Sequence, residues 1–316
     1  MAEPAVEIAA PDITAWRHGN SGIPYVTTLD SGRAGPHAVI TALVHGNELC
    51  GAWALVRLLE AEVRPRCGRL SLAFVNVAAY ERFDPANPKL TRYVDEDLNR
   101  VWDVATLEGP RRSAELERAR EIRPLIEAAD YLLDLHSMQL PAAPLLLCGL
   151  TGKGRRLALA LGYPGLVVAD AGHASGARMR DFGAFGDPDS PRAAVLVECG
   201  QHWARSSVAV AIATCRQFLA ALDLATPEVL TALADAPAPA AAQRVIEVTH
   251  AITVDGGPFR FTEDFQGLEV IARQGTVIAH DGAQPVRTPY DECVLIMPSR
   301  RLGPGLTAVR LGRFVD

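Results

Sequence analysis

Short apolar runs alternate with segments of helical spacing along the first 225 positions of the chain. HAVITALV (37–44), RLSLAFVNV (69–77), YLLDLHS (131–137), APLLLCGL (143–150), GLVVAD (165–170) and AAVLVECG (193–200) are dominated by aliphatic residues. Continuous apolar runs of that length predict strands buried on both faces. Between them ELCGAWALVRLLEAE (48–62), SAELERAREIRPLIEAAD (113–130), GKGRRLALALG (152–162) and SSVAVAIATCRQFLAALDLA (206–225) repeat their apolar residues at helical intervals. Such alternation predicts an α/β fold: a three-layer sandwich whose mixed, mostly parallel sheet is covered by helices on both faces.

The pattern changes after position 225. DAPAPAAAQ (235–243) is rich in proline and alanine, so residues 226–243 read as a linker. Beyond it come short β-rich runs punctuated by glycine and proline: RVIEVTHAITV, GLEVIARQGTVIAHDG, ECVLIMP and LTAVRLGRFV. The expected organisation is therefore residues 1–225 as an α/β domain, a linker over 226–243, and an all-β domain over 244–316.

Composition narrows the function classes. With 49% hydrophobic and 22% charged residues, the 316-residue chain has the balance of a folded globular protein. A formal charge of −6 argues against nucleic acid or an anionic membrane as the main partner. The local pairs Arg111-Arg112 and Arg155-Arg156 read as solvated helix ends. The six cysteines are scattered without a C-x-x-C pair, which fits reduced thiols. MAEPAVEIAA lacks the basic-then-apolar order of a secretory leader, and no apolar stretch approaches the ~20 residues of a membrane span. A cytoplasmic protein is expected, with self-association left open.

The candidate chemistry sits where strands end. In LVHGNELCGAWAL (43–55), His45 and Glu48 interrupt an apolar run at the turn from a strand into a helix. Imidazole nitrogen and carboxylate oxygen are both first-choice zinc ligands. H-x-x-E alone is a weak signal, because an acid in the first helical turn also suits the helix dipole. His136 ends a second apolar strand, with Asp134 two residues earlier on the same face, placed to orient its ring. Glu198 lies inside a third apolar strand, where an unpaired acid costs several kcal/mol. Three predicted parallel strands thus carry metal- or proton-handling residues at their carboxyl ends, the edge where open α/β sheets bind ligands.

Two histidines and one carboxylate make three mixed ligands and leave a fourth position for water, the pattern of a catalytic zinc. Glu198 is then the candidate general base. TRYVDEDLNR (91–100) supplies Arg92 and Arg100, either of which suits a substrate carboxylate or a carbonyl, with Asn99 able to share the carboxylate.

HGNE, DLNR, LDLHS and LVECG, in this order and spacing, resemble the succinylglutamate desuccinylase and aspartoacylase family of zinc carboxypeptidase-like hydrolases. The likeness spans residues about 37–220, and a trailing β domain fits it as well. It implies one zinc per chain on His45, Glu48 and His136, with Glu198 activating water. It also implies that Arg92 polarises the scissile carbonyl, while Asn99 and Arg100 grip a substrate carboxylate. Members of the family often add an arginine from the loop before the base-bearing strand. Here that loop, 172–194, offers both Arg178 and Arg180. Tyr290 is the candidate contribution of the β domain, and His202 in GQHW is placed to line the pocket. His18, His37, His173, His250 and His280 have no partner pattern and read as surface or local structural residues.

The function expected from these residues is zinc-dependent hydrolysis of the amide bond in an N-acylated amino acid or related small amine. A carboxypeptidase acting on short peptides would use the same groups. A zinc-binding protein without catalysis is the reading from another class, but it should lack the base or the arginine, and both are present.

Overall fold

The computed structural model describes residues 4–172, 176–233 and 242–315. Its strands are β1 (Val26–Asp30), β2 (His37–Ala42), β3 (Arg69–Phe74), β4 (Tyr131–Met138), β5 (Leu145–Leu147), β6 (Leu166–Ala169) and β7 (Ala193–Gln201). The C-terminal strands are β8 (Arg244–Thr253), β9 (Phe259–Phe261), β10 (Val270–Ile271), β11 (Val277–Asp281), β12 (Gln284–Arg287), β13 (Cys293–Ile296) and β14 (Thr307–Val315). The helices are α1 (Leu49–Glu60), α2 (Val77–Tyr80), α3 (Val104–Glu108), α4 (Ala114–Ala128), α5 (Gly152–Leu161), α6 (Arg205–Ala221) and α7 (Pro227–Ala232).

The central sheet has the order β1-β3-β2-β4-β7-β5-β6-β8-β14-β13-β10. β3, β2, β4 and β7 run parallel to their neighbours, whereas β5 is antiparallel to β7 and β1 is antiparallel to β3. The mixed, helix-covered sheet is the architecture expected from the alternation. Period-two alternation divides the strands between two apolar layers. Ile40, Leu133, Leu135, Val195 and Val197 face α1, α5 and α6. Val39, Leu132 and Ala194 face α4. Asp134, His136 and Glu198 occupy the α4-side positions of β4 and β7 near their carboxyl ends.

The C-terminal strands are joined to this sheet by hydrogen bonds. β8 runs parallel to β6, and β14 and β13 continue antiparallel from it. β12, β11 and β9 form a separate antiparallel sheet. Of the segment expected as a linker, 227–232 is the short helix α7, and 234–241 lie outside the described residues. All six cysteines are free. Among the described residues no helix is long and apolar enough to cross a membrane.

Candidate metal centre and active-site cleft

After β2 the chain turns at Leu43, whose φ is +60°, and enters His45-Gly46-Asn47-Glu48 before α1 begins. Gly46 is needed there: a Cβ would lie 2.5 Å from Tyr80 N and 2.6 Å from Thr91 O. Its own N–H donates to Arg92 O at 3.0 Å. This close backbone approach brings the 91–100 loop over the turn, and with it Arg92, Asp97, Asn99 and Arg100.

The loop is held from below by Glu115 at the start of α4. This fully buried carboxylate accepts from Val94 N (2.6 Å), Asp95 N (3.0 Å), Glu96 N (3.2 Å) and Asn76 Nδ2 (3.0 Å). A carboxylate with four donors is satisfied despite its burial.

His45, Glu48 and His136 converge, each offering one ligand atom, and those atoms lie within 4.8 Å of one another. His45 Nδ1 is 2.7 Å from Glu48 Oε1, and His136 Nδ1 is 3.1 Å from Glu48 Oε2. The outer nitrogens are occupied as well. His136 Nε2 lies 2.8 Å from Asp134 Oδ2, and Asp134 Oδ1 accepts from the Thr41 hydroxyl at 2.7 Å. His45 Nε2 lies 2.9 Å from Asp97 Oδ1 and 2.8 Å from Arg92 Nη2. Donation from Nε2 to Asp97 leaves the Nδ1 lone pair facing Glu48, the tautomer a metal ligand requires.

The charges point the same way. Burial opposes ionisation of Glu48, yet His45 and His136 hold its carboxyl well below the usual range. Burial likewise opposes a charged His136, yet Asp134 and Glu48 raise it well above an ordinary imidazole. Glu48, Asp97 and Asp134 thus lie against two imidazoles and Arg92, a set of anions that a divalent cation offsets. The donor set therefore fits a zinc-type ion.

Glu198 is the Cα partner of His136 on the adjacent parallel strand. Its Oε2 is buried without a hydrogen-bond partner. Its carboxyl is pushed up to about 8, first by burial and then by the charge of Glu48, with His136, Arg178 and Arg92 opposing. Arg92 donates to Glu48 Oε1 (3.1 Å) and to Asp97 Oδ2 (3.3 Å).

These groups open onto a cleft of about 540 Å³. Asn99, Arg100, Arg178 and His202 line it, together with residues of the C-terminal strands and their loops, including Gln266 and Arg310. Asn99 is committed through Oδ1 to Met179 N at 3.0 Å, and its Nδ2 is 3.5 Å from His136 Nε2. Arg178 Nη1 and Arg310 Nε share Asp170, at 2.8 and 3.1 Å. Burial brings Arg100 down to about 10; Asp97 opposes this, and Arg178, Arg92 and Arg310 add to it. His202 is a neutral imidazole, brought down to about 3 chiefly by burial, with Nδ1 2.8 Å from Ser137 Oγ.

Two expected positions lie elsewhere. Arg180 turns away from the cleft into a buried pairing with Asp181 (3.0 Å) and Asp170 (3.6 Å), against Gly149. Tyr290 does not line the cleft: its hydroxyl bonds Thr249 Oγ1 at 2.5 Å and its ring packs on the C-terminal apolar core. Asp97 and Arg310 were not anticipated as site residues. Asp97 carries a local signal only as the acid capping the turn at Asn99 N, and Arg310 carries none. His37 is a local structural residue bonded to Ser71, His18, His250 and His280 are exposed, and His173 lies outside the described residues.

A profile of the succinylglutamate desuccinylase/aspartoacylase catalytic domain matches residues 34–147. That span carries His45, Glu48, Arg92, Asn99, Arg100 and His136. Over that span the chain is similar to the family's catalytic domain. Succinylglutamate desuccinylase from Vibrio cholerae superposes with a TM-score of 0.68 at 16% identity, covering 93% of this chain and 86% of that one. The product-bound ectoine utilization protein EutE (DoeB) from Ruegeria pomeroyi gives 0.62 at 19% identity, covering 91% and 88%. An aspartoacylase family protein from Mesorhizobium loti gives 0.62 at 19%, covering 93% and 90%. At these identities the structural likenesses establish the fold. Comparison with curated proteins gives no match.

Proposed function

We propose that this chain is a member of that family and a zinc-dependent hydrolase that cleaves the amide bond of an N-acylated amino acid or related small amine. One observation carries the reading: both histidines turn Nδ1 toward Glu48 while a carboxylate holds each Nε2, and Glu198 stands beside them on the next strand. His45, Glu48 and His136 would hold the ion. When bound, it would supply Lewis acidity toward a carbonyl and lower the cost of deprotonating water.

The chain's own groups complete the reaction. Glu198, whose ionised form the charge of a bound cation would favour, takes a proton from the attacking water. Arg92, fixed between Glu48 and Asp97, meets the negative charge that develops on the carbonyl oxygen, a role worth ~3–4 kcal/mol. The C–N bond breaks as Glu198 returns the proton to the leaving nitrogen. Arg100 and Asn99, with Arg178 beside them, take the carboxylate of the amino acid.

On this reading residues 1–225 carry the chemistry and residues 244–316 wall the cleft. That wall supports a small-molecule deacylase over a peptidase, because residues of the C-terminal strands and loops line the cleft and leave less room for a longer peptide. Six free thiols support a cytoplasmic setting.

The test is zinc per chain by elemental mass spectrometry, followed by amine release from a panel of N-acyl amino acids. About one zinc in the wild type, largely lost in His45→Ala while the fold persists, together with amine release, is expected. A wild type that takes up no zinc on incubation would undo the reading at its first step.

A further inference from the structure

The strand that carries Glu198 ends in a bulge. His136 pairs with Glu198, yet Met138, two residues further along β4, pairs with Gln201, three residues further along β7. β7 therefore holds one extra residue in that stretch, where Gly200 has φ +110°, a conformation that favours glycine. A bulge re-aims the side chains around it. Here it lays the turn Gln201-His202-Trp203 across both segments that supply the candidate metal ligands.

The turn is bonded to each of them. His202 N donates to Met138 O at 2.8 Å, and His202 Nδ1 lies 2.8 Å from the hydroxyl of Ser137, which directly follows His136. Ser137 N donates in turn to Glu48 Oε2 at 2.9 Å. The buried Trp203 donates its indole N–H to Asn47 O at 3.1 Å, between His45 and Glu48. Gln201 Oε1 accepts from Trp203 N at 2.9 Å and so fixes the turn itself. From outside, Glu7 N donates to Trp203 O at 3.0 Å, and Glu7 Oε2 accepts from Arg205 N at 2.9 Å.

We infer that His202 and Trp203 are positioning residues, which brace His45, Glu48 and His136 against the strand that carries Glu198. The inference rests on the zinc-hydrolase reading above and deepens it. Two observations carry it. First, the three ligand atoms converge within 4.8 Å although they come from segments far apart in the chain, and this one turn is bonded to both segments. Second, His202 Nε2 is buried with no hydrogen-bond partner, a cost that an apolar side chain would not carry there. What the imidazole supplies in return is the bond to Ser137, between the ligands His136 and Glu48.

The experiment compares the full-length protein with four variants. Trp203→Phe keeps a ring and loses the indole N–H, and His202→Phe loses Nδ1. His202→Asn restores a polar atom near the Nδ1 position. Ser137→Ala removes a single oxygen, so it disturbs the packing least. Zinc affinity is read by competition with a chromogenic chelator, ligand geometry by the visible spectrum of the cobalt-loaded protein, and folding by circular dichroism. Trp203→Phe, His202→Phe and Ser137→Ala should each weaken zinc binding ~10–100-fold, as loss of a group that orients a ligand from behind does. Their cobalt bands should shift, and kcat for an N-acyl amino acid should fall while KM holds. His202→Asn should recover most of the affinity.

Wild-type zinc affinity and unshifted cobalt bands in folded Trp203→Phe and His202→Phe proteins would overturn the inference. So would a loss of thermal stability in these variants with zinc affinity unchanged, which is the mark of ordinary core residues. Weakened zinc and shifted bands in a chain whose wild type hydrolyses no N-acyl amino acid keep the positioning role and remove the deacylase reading instead.

Discussion

His136 and Glu198 are Cα partners on the parallel strands β4 and β7, so a metal-competent imidazole and a buried carboxyl stand side by side on one sheet face. The sheet fixes their separation, and no loop movement is needed to bring them together. Glu198 touches the proposed reaction only through its proton. Glu198→Gln keeps the shape, removes that function, and replaces an acid that burial already disfavours in its charged form. The variant should retain wild-type zinc and melt within a few degrees of the parent, while kcat falls ~10²–10⁴-fold. A zinc-loaded Glu198→Gln protein with full turnover would remove Glu198 from the mechanism.

Asp134 and Asp97 do for the two histidines what neither ring does for itself: they hold Nε2 so that Nδ1 faces Glu48, where the proposed ion would bind. Asp134→Asn and Asp97→Asn should each weaken zinc binding ~10–100-fold, measured by competition with a chromogenic chelator. Asp97→Asn should also lower kcat, because Asp97 positions Arg92. Asp134 has no such contact with Arg92, so its variant should recover most turnover at saturating zinc.

His45, Glu48, His136 and Glu198 were legible in the sequence because each interrupts an apolar run at the end of a predicted strand, where a polar residue demands a reason. Asp97 was not, because its partner His45 is distant in the chain and its local role as a turn cap already explains an acid there. Arg310 reads as one of two arginines, with Arg313, on a terminal strand, and only the pairing of β8 with β6 brings that strand to the cleft. The same long-range pairing turns an expected appendage into an extension of the main sheet. Arg178 and Arg180 differ by two positions in a 3₁₀ turn, and spacing alone gave no way to choose between them. Both reach Asp170, but Arg178 lines the cleft and Arg180 does not.

Glu115 tests whether the 91–100 loop is built or merely draped. Removing its carboxylate leaves three backbone N–H groups and the Asn76 amide without their shared acceptor. Each unsatisfied buried donor costs ~1–3 kcal/mol, so Glu115→Ala should lose at least ~3 kcal/mol in urea denaturation even after water enters. kcat/KM should fall as well, because Arg92 and Asp97 ride on that loop. A variant as stable as the parent would mean that the loop is held by other contacts.

Asp170 is the anion between two cleft arginines, with a third behind it. Burial opposes its ionisation, yet Arg178, Arg310 and Arg180 hold its carboxyl well below the usual range. A carboxyl depressed in the folded state contributes stability above the unfolded value of ~3.9, and that contribution is lost as pH falls toward the folded value. Asp170→Asn strands the charges of Arg178 and Arg310 inside the protein and should cost ~3 kcal/mol at pH 7. The gap between variant and parent in urea titrations should stay constant from pH 7 to pH 5. It should narrow below pH ~4, as Asp170 takes up a proton in the unfolded parent while it stays ionised in the fold. A gap that instead widened toward acid would mean that Asp170 is neutral in the folded protein and that the two arginines are held by something else.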